Sequence, residues 1–424
     1  MTEFLRVITA DQLIQLLGKF NRLVAERVAL DASLGRILSE DVAAGEDLPE
    51  GARSTVDGFA VRAEDTFGAS DAIPAFLDVV AAVSMGTLPD FEIHAGQAAQ
   101  IPTGGFLPRG ADAVVMVEYA NSTGNSSVEV TRPVTAKANV LEKGEDARRG
   151  DVLLPAGKEL RPQELGFLAA LGVVEVPVRR RPQVAILSTG DEIVPIERKP
   201  TPGQVRDANS HALAALVRSL GGEPFVVDIV PDNAESLNDA IRDGLERSDV
   251  VVISGGSSVG ARDLIVDVVS TLPGVETLAH GVAIRPGKPA LLADCAGKPV
   301  FGLPGHPVSA LMVAEVFLAP FLRYIQGGEM EKGPLGRWEQ ATLATSFHSA
   351  IGLEEYVRVR IKEKEMKATS GAGETGAAAG GREAHPVFGK SGMLSTMVKA
   401  DGVIRVPMNV EGLSKGDIVR VVRF

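Results

Sequence analysis

One cysteine in 424 residues leaves no partner for an internal disulfide and no thiolate set for a metal. That residue, Cys295, lies in the apolar, strand-like stretch Leu291-Leu292-Ala293-Asp294-Cys295 and reads as a buried, inert thiol. The six histidines are scattered, with no HExxH or paired spacing, which argues against zinc hydrolase chemistry. Aromatic residues make up 4%, so the cores must be built from Val, Leu, Ile and Ala. Positive charge is in deficit: 43 basic against 55 acidic residues give −12, a poor balance for holding nucleic acid over a broad face. Small anions stay open, because a local pocket is often basic where the whole is acidic. The start of the chain, with Glu3 and no basic or small-residue cleavage pattern, is not expected to be a signal peptide. The longest apolar run, residues 307–322, is interrupted by Glu315 and Pro320 and reads as too short for a membrane span. The expectation is a soluble, cytoplasmic protein with no nucleic-acid or membrane partner.

At ~150 residues per domain, the length suggests about three domains. From Val184 to Tyr324 short β-branched runs alternate with longer helical ones. Strands are expected at 184–187, 225–230, 250–253 and 300–303. Helices are expected from Asn209 (as cap) to Leu220, from Ala234 to Glu246, from near Asp263, and from Pro307. Strands apolar on both faces and separated by helices predict a parallel, doubly wound sheet. Before it, residues 57–135 are rich in short strands and Gly/Pro turns, and Arg161-Pro162-Gln163-Glu164 reads as a helix start. Helical patterns are read at Leu13–Leu17 and around Ala32–Leu38. Arg179-Arg180-Arg181-Pro182 marks the boundary into the α/β unit. After Gly327-Gly328 strands and turns return, predicting a small β-barrel or sandwich. It is broken by the Gly/Ala/Ser/Thr segment 367–381, read as a mobile loop. Deleting residues 369–380 should therefore leave the melting temperature almost unchanged, since loop closure depends weakly on length. A large drop in a thermal scan would show that the segment is packed.

Four polar loops follow the α/β strands, where open parallel sheets bind ligands. They are Ser188-Thr189-Gly190-Asp191-Glu192, Val230-Pro231-Asp232, Ser254-Gly255-Gly256-Ser257-Ser258-Val259-Gly260 with Asp263 beyond, and Pro304-Gly305-His306-Pro307-Val308-Ser309. Glycines and hydroxyls after a strand let backbone N–H groups approach a phosphate. Carboxylates beside them repel phosphate unless a divalent cation, most often Mg²⁺, bridges the two. A Gly-rich loop after a strand is, by itself, more often just a tight turn, and none of these is GxGxxG or a Walker motif; four in one unit point to a nucleotide or pyrophosphate site. Ile284-Arg285-Pro286-Gly287-Lys288-Pro289 holds two cations between rigid turns, suited to an oxyanion or simply a charged surface loop.

Ser54-Thr55-Val56-Asp57-Gly58-Phe59-Ala60 resembles the opening signature of the MoeA family and of the C-terminal domain of gephyrin. Thr103-Gly104-Gly105 with Gly110-Ala111-Asp112, then the 188–192, 254–260, 285–289 and 304–310 segments, follow in the family's order. The resemblance runs from about Ala10 to the C-terminus, and six motifs in order make it specific.

It implies an elongated homodimer of four domains: 1–52 with 140–180 as a mixed, linking and dimerising domain, 53–139 as a β-rich insertion, 181–325 as a three-layer α/β domain similar to molybdopterin adenylyltransferase, and 326–424 as a β-barrel. The implied activity is insertion of molybdate into adenylylated molybdopterin, with release of AMP and molybdenum cofactor to accepting enzymes. By the same resemblance Asp57 and Thr103 are site residues from the insertion, on the partner's side of the cleft. Glu192, Asp232 and Asp263 surround the pyrophosphate, with Glu192 and Asp263 on Mg²⁺. Gly255, Gly256 and Ser257 bind substrate, Arg285 and Lys288 hold phosphate or molybdate, Pro304 and Pro307 shape the pocket, and Ser391 matches a C-terminal-domain serine. Two departures stand out: His306 where the family usually has Asn, and Gly352-Leu353 where members often read Gly-Arg, although Arg358 matches that pattern's second arginine. The other readings are a non-catalytic, gephyrin-like scaffold and a pterin adenylyltransferase.

Overall fold

The structure, a computed structural model, describes residues 7–124, 126–255, 259–363 and 381–424. Gly256, Ser257 and Ser258 of the third loop, and the 367–381 segment up to residue 380, lie outside the described residues. The chain forms two units. One comprises Arg27–Leu34 and Glu40–Val176; the other comprises the residues up to Glu26, Gly35–Ser39 and Pro177–Phe424.

The first unit is built around a six-stranded sheet in the order Ala113–Met116, Gly58–Val61, Gln97–Ile101, Ala75–Ala82, Ser127–Val130, Ala120–Ser122. Neighbours are antiparallel except Gln97–Ile101 and Ala75–Ala82. Both faces of this sheet are covered: Phe59, Val61, Leu77 and Val115 form one core, Ala60, Ile101 and Val114 another. The helix expected at Arg161 runs Pro162–Ala170, with proline at its first position, where no N–H partner is lost. The helical pattern read around Ala32–Leu38 is not a helix. A single 3₁₀ turn at Leu30–Ala32 is closed by Ser33, whose N–H donates to the Leu30 carbonyl; Gly35 follows at φ 73°, and the consecutive buried pair Ile37 and Leu38 belongs to extended chain.

The second unit holds a six-stranded sheet in the order Glu223–Val226, Gln183–Thr189, Val250–Gly255, Lys298–Pro304, Leu291–Cys295, Val275–His280. The first four are parallel, as the apolar runs imply; the last two add an antiparallel edge. Val275–His280 escaped the sequence reading because an edge strand is half exposed and carries no continuous apolar run. The second expected strand is shorter than read, and Val230 keeps only an isolated bridge to Thr189. The N-terminal helix Ala10–Leu17 packs here: its Leu13, Ile14 and Leu17 share a core with Val184, Phe301 and Phe317.

The apolar run from Pro307 is one helix to Ile325, 19 residues with mean hydropathy 1.6, and 78% of its apolar stretch is buried. Neither Glu315 nor Pro320 breaks it, contrary to expectation. A π-turn over Ala314–Leu318, with Ala319 N–H bonded five residues back to Ala314, makes room for the proline ring. Length alone would suit a membrane; the helix is instead the centre of the α/β core. Burial pushes the Glu315 carboxyl up to about 7. The unfolded chain ionises first, so stability present below the ordinary carboxylate pKa is lost as pH rises through about 7. Glu315→Gln should flatten that dependence and stabilise the fold at pH 8.5 by about 1–3 kcal/mol. Urea midpoints of both proteins at several pH values check this, and parallel pH profiles would contradict it.

After residue 337 the chain makes the expected barrel. Glu354–Glu363, Arg382–Pro386, Trp338–Leu343, Ile418–Arg423 and Gly402–Val406 pair in that order, and Gly402–Val406 pairs back on Glu354–Glu363 to close the ring. Ile284–Arg285, from the α/β part, adds to the ring as a parallel edge beside Glu354 and Glu355. Beside that pairing the buried Tyr356 O–H donates to buried Glu354, and the exposed Arg405 donates to its other oxygen at 2.7 Å.

Candidate functional site

The strand order reverses direction between Gln183–Thr189 and Val250–Gly255, and there the polar loops converge. Thr189, Gly255 and Pro304 are register partners across three adjacent strands. Only glycine fits at 255: an added Cβ would lie 2.4 Å from Thr189 Cγ2 and 2.5 Å from its carbonyl oxygen. Asp232 reaches the same edge, its Oδ1 accepting from the Thr189 hydroxyl at 2.6 Å. Its backbone N–H donates to Asp191 Oδ1 at 3.1 Å, so Asp191, and not Glu192, is the acid bonded to this loop. Glu192 is half-buried one residue on. Asp263 is the fifth residue of helix Val259–Ser270, which opens directly beyond the third loop. The helix starts earlier than read.

Asn209, which the sequence offered as a cap, and Asp207, which it did not single out, hold these loops together. Asn209 is the first residue of helix Asn209–Ser219 and not its cap. Its Nδ2 donates to Ser254 Oγ at 2.7 Å and to the Gly305 carbonyl at 2.9 Å, tying the third loop to the fourth. The capping bond comes from buried Asp207, whose Oδ1 accepts from Ser210 N–H at 3.1 Å and from Ser188 O–H at 3.0 Å. A cleft of 530 Å³ opens beside these groups, lined by Asp191, Asp207, His211 and Asp228 together with Ile193 and Ile196.

A second cleft, of 550 Å³, lies where Ile284–Pro289 meets the barrel. Arg285, Lys288, Arg358 and Lys390 line it, with Glu355 as its acid and Ser391 at its wall. Arg285 pairs with Glu355 at 3.6 Å, while Lys288 is exposed. Arg358 is only 8% exposed, and burial pulls its guanidinium below its usual value. Its Nε has no hydrogen-bond partner among the described residues, and its Nη2 reaches only the Gly389 carbonyl, at 3.4 Å. A buried guanidinium with free donors is costly unless an anion completes it. Gly287 turns tightly under the cleft, at φ 119° and with Val313 where a Cβ would stand.

Ser391 is brought to the fourth loop. Its carbonyl accepts from Val308 N–H at 3.0 Å, and its hydroxyl lies 2.8 Å from His306 Nδ1. Pro307 opens the helix and Pro304 is buried at the strand end. Lys390 went unassigned in the sequence, and Arg358 had only its family match, because Arg285 and Lys288 are about 70 to 105 residues away.

In the other unit Asp57 and Thr103 are adjacent. Asp57 Oδ1 accepts from Thr103 N–H at 2.7 Å and from its hydroxyl at 3.0 Å. Those two bonds, the backbone one first, hold the exposed Asp57 carboxyl below its usual value. Gly58 lets its strand press on Val115, whose carbonyl oxygen would be 1.9 Å from a Cβ.

Residues 5–172 match the family described as MoeA N-terminal region (domain I and II), residues 185–324 the probable molybdopterin binding domain, and residues 340–424 the MoeA C-terminal region (domain IV). The chain is 38% identical to a molybdopterin molybdenumtransferase of Nostoc sp. over 77% of this chain and 74% of that protein. It is 31% identical to one of Bacillus subtilis over 93% and 89%. A crystal structure of a molybdopterin biosynthesis MoeA protein from Pyrococcus horikoshii OT3 superposes with TM-score 0.82 at 29% identity, covering 99% of this chain and all of that one.

Proposed function

Because this chain belongs to the MoeA family, we propose that it is a molybdopterin molybdenumtransferase, inserting molybdate into adenylylated molybdopterin with release of AMP. The observation that carries this reading is the cation-walled cleft with the incompletely bonded Arg358. Molybdate and a pyrophosphate are both anions, and a protein joining them must hold each against their mutual repulsion. Arg285, Lys288, Arg358 and the Ser391 hydroxyl would hold molybdate. The Thr189, Gly255 and Pro304 strand ends would present backbone to the pterin pyrophosphate, with Gly256 and Ser257 in the same loop.

Two thiolates of the pterin displace molybdate oxygens, so no protein thiol is needed. Cys295 suits that, being buried with its thiol pushed up to about 11. Hydrolysis breaks the bond between the pterin phosphate and AMP. The cationic wall would stabilise the charge that develops on the phosphate.

Mg²⁺ fits the donor set. Among the described residues no three His, Cys, Asp or Glu side chains converge as a metal cage. Magnesium takes one or two carboxylates, keeps several waters and shares substrate phosphate oxygens. Glu192 and Asp263 would supply the carboxylates, with Asp232 beside them, and the ion would neutralise charge on the pyrophosphate. Asp57, held ionised by Thr103, would add a further oriented carboxylate.

The protein would act as a cytoplasmic homodimer and pass finished cofactor to accepting enzymes. Sedimentation equilibrium should give twice the 44.4 kDa chain mass. Calorimetric titration with molybdate and with adenylylated molybdopterin tests the binding half of the proposal. Saturable binding of both is expected. Pterin binding without molybdate binding would point to an adenylyltransferase, and binding of neither to a scaffold.

A further inference from the structure

We propose that His306 controls whether Ser391 donates or withholds its hydroxyl hydrogen in the cationic cleft, so that oxyanion capture there is coupled to proton uptake. The inference rests on reading that cleft as an oxyanion site. His306 stands at the head of helix Pro307–Ile325, exposed, with Nδ1 2.8 Å from Ser391 Oγ. The two segments are fixed to each other independently of that contact, by Val308 N–H on the Ser391 carbonyl at 3.0 Å.

A serine hydroxyl has one hydrogen, and an imidazole nitrogen either gives one or takes one. With Nδ1 bare, the Ser391 hydrogen must point at His306. The lone pairs that remain are then what Ser391 offers the cleft, and they repel an oxyanion. With a hydrogen on Nδ1, the ring donates to Oγ and the serine hydrogen is released for the ligand. Neutral imidazole divides between these two states, whereas imidazolium occupies only the second. An asparagine amide at this position would donate at every pH. Histidine therefore places a titration where an amide has none.

The surrounding charges set the sign. Arg285, Lys288, Arg358 and Lys390 line the cleft with Ser391, and Glu355 is the one acid lining it among the described residues. A bound dianion reverses that balance. By linkage, whatever raises His306 protonation on binding makes binding stronger at lower pH.

The test is calorimetric titration of the full chain with molybdate alone at pH 6.5, 7.5 and 8.5, in two buffers of different ionisation enthalpy. Wild type, His306→Asn, His306→Ala and Arg358→Met are compared. The wild type should weaken about three- to tenfold across this range and take up a fraction of a proton at the lower pH. His306→Asn should bind with a flat profile and no proton uptake, and His306→Ala should also lose the slope. A flat wild-type profile, or an unchanged slope in His306→Asn, overturns the proposal while leaving the cleft reading intact. Molybdate binding by Arg358→Met as tight as by wild type overturns the cleft reading, and the proposal falls with it.

Discussion

Asp263→Asn should fold normally and lose AMP release by about 10²-fold or more, in the range seen when one group that stabilises a developing charge is removed. Asp263 sits in the second turn of helix Val259–Ser270, directly beyond the strand end where Gly255 meets Thr189 and Pro304. The substitution keeps the shape of the side chain and removes its charge. An amide is a poor partner for Mg²⁺ and does not hold the ion against phosphate as a carboxylate does. The measurement is the rate of AMP release at saturating Mg²⁺, with circular dichroism and melting temperature to show that the fold persists. Near-normal turnover would remove Asp263 from the site.

Arg358→Met should do the opposite of an ordinary buried substitution: it should cost the protein its anion affinity without costing it stability. The guanidinium is 8% exposed, its Nε has no partner among the described residues, and its nearest acid, Glu355, is paired with Arg285. Replacing an incompletely compensated buried charge by an apolar side chain of similar length is neutral or stabilising, by about 1–4 kcal/mol. The lost fork of donors should weaken molybdate binding at least tenfold, about 1.4 kcal/mol. Urea midpoints and molybdate titrations of the same preparations decide it. A strongly destabilised variant, or one that binds as wild type does, would show that Arg358 is a structural residue.

The parts of this fold that were legible in the sequence were those with an unambiguous pattern. Val184–Leu187, Val250–Ile253 and Val300–Leu303 are apolar on both faces because helices cover both sides of the sheet. The loops after them announced themselves by glycines and carboxylates in places where a buried strand must end. What the sequence hid is long-range. The stripe of Leu13, Ile14 and Leu17 predicts a helix but not that Phe317 lies against it. Asn209 looked like a cap because caps are local, whereas its bonds run to Ser254 and Gly305. Pro320 looked like a breaker because the π-turn before it has no local signature. The cationic cleft is the clearest case: Arg285 and Lys288 were visible as a pair, but Arg358, Lys390 and Ser391 join them only once the barrel closes.

One reaction decides the function of this protein. Purified protein with adenylylated molybdopterin and Mg²⁺ should release AMP when molybdate is added, and little without it. For each AMP released, one cofactor should appear that activates an apo-enzyme requiring molybdenum cofactor. AMP release that ignores molybdate, or molybdate-dependent release that yields no transferable cofactor, would contradict it.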